Sequence, residues 1–228
     1  KAPLEPELEE KLKNLGDALV DQEAARIIQK PAKREAGFWF GSGSMIECQE
    51  KLYLSGRYRN AGDSRTGLGL GDRGVELVIL ESEDRGKSWK KIRSMSKADL
   101  TYDEKDVLSI EGTCLACTEN GIELYVSTEK AGEYPAEIAE YQKPGTGIWS
   151  IDRIFAETVE NLDPREIEPF LSCSDPRYLH VKDPVAYRHA DGSMSIVFCT
   201  HPYSWSSANS GLTTRASDDT LFDEPKFT

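Results

Sequence analysis

Two acidic residues stand at the starts of apolar, strand-like runs in this 228-residue chain. Glu111 lies in Ser109-Ile-Glu-Gly-Thr113, and Asp183 in Val181-Lys-Asp-Pro184. Each precedes a turn glycine by a similar distance, Gly121 in one case and Gly192 in the other. Two carboxyl groups brought to one opening can act as general acid and base, or as acid and nucleophile, on a glycosidic bond. Taken singly, a salt bridge would explain Glu111, and a cap before proline would explain Asp183. Their matching positions favour a shared site.

Two further groups could bind what the acids act on. Arg57, Arg59, Asp63 and Arg65 fall within ten residues, and arginines there could fork onto a sugar carboxylate or a phosphate. A solvated loop is the plain alternative. His201-Pro-Tyr-Ser-Trp205 ends a later strand. His201 could donate to a sugar hydroxyl, and Tyr203 or Trp205 could stack on a sugar face, with rim or core packing as the competing explanation. Trp39 and Trp149 are assigned to packing.

Other chemistry finds less support. The five cysteines, Cys48, Cys114, Cys117, Cys173 and Cys199, are odd in number and sit mostly in apolar runs. They read as buried free thiols of a reducing compartment, which favours the cytoplasm. Cys114 and Cys117 resemble half a zinc motif, but no second pair follows and the chain has only three histidines. On a strand the two would face opposite sides. No cofactor is expected, and a central metal ion is left open. Gly67-Leu-Gly-Leu-Gly71 lacks the strand and helix that a dinucleotide loop needs.

These groups must be positioned by β-structure. Residues 4–30 carry leucines and isoleucines at spacings of three and four, which predicts one helix begun by Pro6 and stopped by Pro31. It reads as a packing helix, or as one that docks a partner. From Phe38 the period changes to two, in Lys51–Arg59, Val75–Glu81, Ile122–Ser127 and Met194–Cys199. Asn120-Gly121 and Asp191-Gly192 are hairpin turns. Three hairpins, turning near 51, 121 and 192, recur about 70 residues apart, with further strands expected at Trp89–Ser94, Ile148–Ala156 and Leu212–Ala216. Units of about four strands at a fixed interval predict β-propeller blades. An N-terminal helical segment (1–37) therefore precedes about three blades (38–228). A propeller closes with roughly four or more blades. The remainder of a longer polypeptide, or a second chain, is expected to complete it.

Composition narrows the partners. There are 28 Lys+Arg against 40 Asp+Glu, a formal charge of −12, which would repel a nucleic acid. No apolar run is long enough to span a membrane, and no secretory signal is visible.

Ser82-Glu-Asp-Arg-Gly-Lys-Ser-Trp89 fits S-x-D-x-G-x-x-W and resembles the Asp box of sialidases and other sugar-handling propellers. There Asp84 would accept backbone N–H groups, Gly86 would take a positive φ, and Trp89 would pack between blades. Ser217–Phe222 resembles a degenerate second copy. Lys182-Asp-Pro184 and the hairpin after it resemble the five-bladed propeller glycoside hydrolases and phosphorylases, a group that includes arabinanases, xylosidases, invertase-like enzymes and mannoside phosphorylases. Lys51–Trp89 is similar to the first blade of the mannoside phosphorylases, and Ile110-Glu-Gly112 to the acid-bearing segment of arabinanase relatives. The pattern departs from those families in having no acid at the first-blade start, Gly41–Ser44, and in placing Glu111 before Asp183. The resemblance implies a carbohydrate-active enzyme, a glycosidase or a phosphorylase. Glu111 would be its proton donor, with a pKa raised by burial, and Asp183 would orient or act as base. A non-catalytic sugar-binding propeller and an interaction scaffold are the alternatives.

Overall fold

The computed structural model describes residues 4–21, 23–60, 73–217 and 221–227, which form parts of two compact units, residues 1–30 and 31–228. The first holds helix α1 (Pro6–Leu19), with Pro6 in its first turn and a Glu7–Lys11 ion pair one turn apart. The expected helix over 4–30 is too long. Val20 is extended, and the Asp21 carboxylate accepts the N–H groups of Glu23 and Ala24, so a side-chain-closed turn replaces the next helical turn. Leu8, Leu12, Leu15 and Leu19 of α1 are exposed. No helix among the described residues is long and apolar enough to cross a membrane.

The second unit is three antiparallel sheets in chain order. The first contains β1 (Trp39–Gly41), β2 (Met45–Cys48), β3 (Lys51–Arg59), β4 (Gly74–Ser82) and β5 (Lys90–Ser96). Here β1 and β2 share one position, both pairing with β3. The second sheet is β6 (Val107–Cys117), β7 (Ile122–Lys130), β8 (Ile148–Ala156) and β9 (Glu168–Leu171). The third is β10 (Leu179–Arg188), β11 (Met194–His201), β12 (Asn209–Arg215) and β13 (Lys226–Phe227). Each meanders strand to strand, as propeller blades do. Every residue of β7 is buried, because the middle blade is covered on both faces.

Alternation divides side chains between two seams. Leu77, Ile79 and Met95 of the first blade pack with Ile110, Leu115, Leu124 and Val126 of the second. Cys114, Tyr125 and Ile151 turn the other way, against Val181, Ile196 and Phe198 of the third. The repeat is visible in one hydrogen bond made twice. Leu115 N–H donates to Ser44 Oγ at 3.0 Å, and Ala186 N–H donates to Cys114 Sγ at 3.0 Å.

Hairpin turns gather at one end of the blades. Between β4 and β5, Asp84 Oδ1 accepts Ser88 N–H at 2.8 Å, Ser82 Oγ accepts Gly86 N–H at 2.7 Å, and Gly86 has φ +81°. Trp89 is half-buried, and its indole N–H donates to Gly86 O within the same turn. The expectation of five free thiols fails. Cys48 ends β2, Cys117 ends β6, their Cα atoms are 5.9 Å apart, and they form a disulfide across the first seam. Cys114, Cys173 and Cys199 are free.

Candidate active site

At the end opposite the hairpin turns, the innermost strands lose their regularity. The β6–β7 register shifts between Ile110 and Thr113, giving one extra residue at Glu111-Gly112. The β10–β11 register shifts between Leu179 and Lys182 and again between Lys182 and Val185, around His180 and Asp183. Both of these residues have positive φ, 59° and 53°. In the first blade the break between β1 and β2 includes Ser42, at φ 55°. Such bulges re-aim side chains out of the ladder, and non-glycine residues in this region store strain.

The bulges bring the two predicted acids to one seam. Asp183 N–H donates to Ser127 Oγ at 3.1 Å, and Ser127 Oγ donates to Gly112 O at 3.1 Å. A Cβ on Gly112 would lie 2.6 Å from Asp183 Oδ1 and 2.8 Å from its Cα, so only glycine beside Glu111 permits this approach. Glu111 is mostly buried. It accepts from Arg57 Nη2 at 2.9 Å and from Ser109 Oγ at 2.8 Å. Asp183 is exposed.

Arg57 and Arg59 are buried on β3 and stack on Trp39, which is therefore part of the site as well as packing. Burial pushes the Arg57 guanidinium below its ordinary pKa, against the opposing pull of Glu111 and Asp183. Asp63 and Arg65 lie outside the described residues. His201 closes β11. Its Nδ1 meets Ser207 O, which can only accept, so Nδ1 carries the proton and Nε2 faces Cys199 Sγ at 3.8 Å. Burial pushes His201 below its ordinary pKa and the Cys199 thiol above its own. Tyr203 and Trp205 follow on an exposed loop. Tyr203 meets Tyr141 edge-on, and Lys143 lies over Trp205 at 4.9 Å, so the two rings form a rim.

The structure adds residues that sequence reasoning did not place at the site. Arg73 ion-pairs with fully buried Glu129. Glu129 also accepts Gly147 N–H, which ties down the loop bearing Lys143. Trp149 packs edge-on against His180 and lies under Lys182. His180 Nε2 donates to Tyr141 O and its Nδ1 accepts from Tyr134 O–H. Burial lowers its pKa to about 4. The one available signal was a charge, Glu129, two residues beyond the apolar alternation of β7. A separate cavity of about 400 Å³ borders Tyr102, Lys130 and Asp152, whose polar groups satisfy one another. Among the described residues, no three His, Cys, Asp or Glu side chains gather as metal ligands.

No protein-family model matches the sequence. No curated protein matches it either. Solved structures do match its fold. A family-43 glycoside hydrolase from Xanthomonas citri, complexed with xylotriose, superimposes with a TM-score of 0.57 at 10% identity, over 83% of this chain and 55% of that one. A β-xylosidase/α-arabinofuranosidase from a compost metagenome gives 0.54 at 10%, over 89% and 62%. A xylan β-1,4-xylosidase from Bacillus halodurans gives 0.53 at 16%, over 86% and 33%. The chain therefore spans 33–62% of the length of these three proteins. Its three sheets are blades of a β-propeller, and the fold is that of the propeller glycoside hydrolases.

Proposed function

We propose that this protein cleaves a glycosidic bond at the mouth formed by its inner strands. One observation carries the reading: bulges in two adjacent inner strands bring Glu111 and Asp183 to the same seam, with Gly112 against Asp183. Asp183, exposed in the mouth, takes the part of base or nucleophile. Glu111, held by Ser109 and Arg57, takes the part of proton donor. Arg57, Arg59 and His201 hold the substrate, with Tyr203 and Trp205 stacking on the sugar at the rim. The substrate is a carbohydrate, and transfer to water or to phosphate completes the reaction. The blades run over 38–228 after the helical segment 1–37. Two more blades, from further polypeptide or a second chain, would close a five-bladed ring.

The test is turnover of a panel of aryl xylosides, arabinosides, mannosides and glucuronides by the intact protein, with and without phosphate. Glu111→Gln and Asp183→Asn should each cut turnover by about a hundredfold or more. Asp183→Asn should leave the thermal melt in place, whereas Glu111→Gln takes the carboxylate from buried Arg57 and should lower it. Sugar binding without turnover in the unaltered protein would instead support a non-catalytic sugar-binding propeller. The Glu111–Arg57 ion pair favours that second reading, because it gives Glu111 a positioning task of its own. Unchanged turnover in both variants would overturn the assignment of the acids.

A further inference from the structure

The mouth is built for more than a neutral sugar. Arg57 is 4% exposed and is nine-tenths and more buried, yet only one of its guanidinium nitrogens has a partner, Nη2 on Glu111. Nε and Nη1 are buried without a hydrogen bond. Buried guanidinium N–H groups left unpaired are costly, and they mark a place where an acceptor belongs. Lys182 stands on the same bulged stretch as Asp183 and lies over the face of Trp149 at 5.8 Å. Around these two, Arg59 and Arg73 add to the positive field felt at Arg57, and Lys143 adds to that felt at His180 and His201. The facing acids among the described residues are Glu111, Asp183 and Glu129, and two of them are already in ion pairs. A chain of charge −12 thus concentrates cations at the one opening where its substrate is proposed to enter.

Resting on the glycoside-cleavage reading and going beyond it, we infer that the sugar bound in the mouth is an acidic one, a uronic acid whose carboxylate is received by Arg57 with Lys182 in support. A carboxylate oxygen is a charged acceptor for a guanidinium N–H, and such a charge-assisted hydrogen bond is about twice as strong as one to a neutral oxygen. A hydroxymethyl group at the same ring position offers a single neutral oxygen and no charge. The neutral analogue of the right sugar would leave the buried N–H groups unpaired, which is the strongest kind of discrimination a polar pocket makes.

Calorimetric titration of the intact protein with methyl glucuronide and methyl galacturonide, each beside its neutral counterpart methyl glucoside or methyl galactoside, tests this. One uronide should bind at least about tenfold more tightly than its counterpart. The preference should shrink on raising the salt concentration. Arg57→Gln should erase it. Should that variant fail to fold, the half-buried Lys182→Gln should still reduce it severalfold. Equal binding of a uronide and its counterpart overturns the inference and leaves sugar recognition standing. Inorganic phosphate that binds and displaces neither uronide nor neutral glycoside overturns it too, because the anion site is then a phosphate site beside the sugar. Failure of every glycoside to bind overturns both this inference and the reading beneath it.

Discussion

The two ends of the same strands are built differently. At the hairpin end the turns close on themselves. Asp84 accepts from Ser88 and Ser82, Glu123 takes a bidentate grip from Arg215 at 2.7 and 2.8 Å, and a disulfide spans the first seam. At the mouth the inner strands bulge, Ser42, His180 and Asp183 are held at positive φ, and Arg57 keeps unpaired buried nitrogens. The hairpin end satisfies most of its polar groups internally, with Arg93 Nε an exception, whereas two nitrogens of Arg57 stay unpaired at the mouth. Stability and recognition can therefore occupy opposite ends of one sheet, and substitutions at the two ends should separate them.

The largest separation is expected at Glu123. Glu123→Ala leaves Arg215 buried without its carboxylate and removes the acceptor of Tyr125 O–H. A loss of about 3–5 kcal/mol in a urea titration is expected, with sugar binding retained under native conditions. A loss below 1 kcal/mol would show that the hairpin end does not carry the stability assigned to it. Next comes the disulfide. Its two cysteines are 69 residues apart, and Cys48→Ser should cost about 2–4 kcal/mol relative to the oxidised protein. A melt that does not change on reduction of the unaltered protein would contradict that.

At the mouth the order reverses, with the proposed turnover the more sensitive property. Gly112→Ala pushes a methyl against Asp183 and should lower turnover by about a hundredfold through misplacement of the acid. Its stability cost should stay near ~1–3 kcal/mol. Unchanged turnover would mean that Asp183 need not sit where it does. The last effect is a pH dependence at His180. Burial lowers its pKa from 6.5 to about 4, so in that interval the unfolded chain binds a proton that the folded chain refuses. Stability should be unaffected above pH 6.5, fall as the pH drops towards 4, and level off below it. The span should be on the order of 3 kcal/mol. His180→Asn should flatten the slope, and His201, lowered for the same reason, should leave a residual one. Equal slopes in both proteins would place His180 in contact with solvent.

The blades were legible because their signals are local. Asn120-Gly121 and Asp191-Gly192 can only be turns, and the strands expected at Lys51–Arg59 and Ile148–Ala156 form with those bounds. The turn at Asp84 was legible for the same reason, since its hydrogen bonds span four residues. The helix was overextended because Asp21 closes a turn that leucine spacing does not reveal. Glu111 and Asp183 were singled out through their repeat positions, and the structure brings them to one seam. Arg73, Glu129, Lys143, Trp149 and His180 were not, because each reaches the mouth from a strand end or loop whose path no periodicity records.

Alternation and turn chemistry, which act over a few residues, fixed three sheets and their spacing in this chain. Which cysteine meets which, which arginine keeps free nitrogens, and that Glu111 and Asp183 share a seam follow from how sheets some 70 residues apart lie on one another. Those contacts depend on blade packing and on single-residue bulges. A bulge shifts every later side chain to the other face while leaving the local pattern almost unaltered.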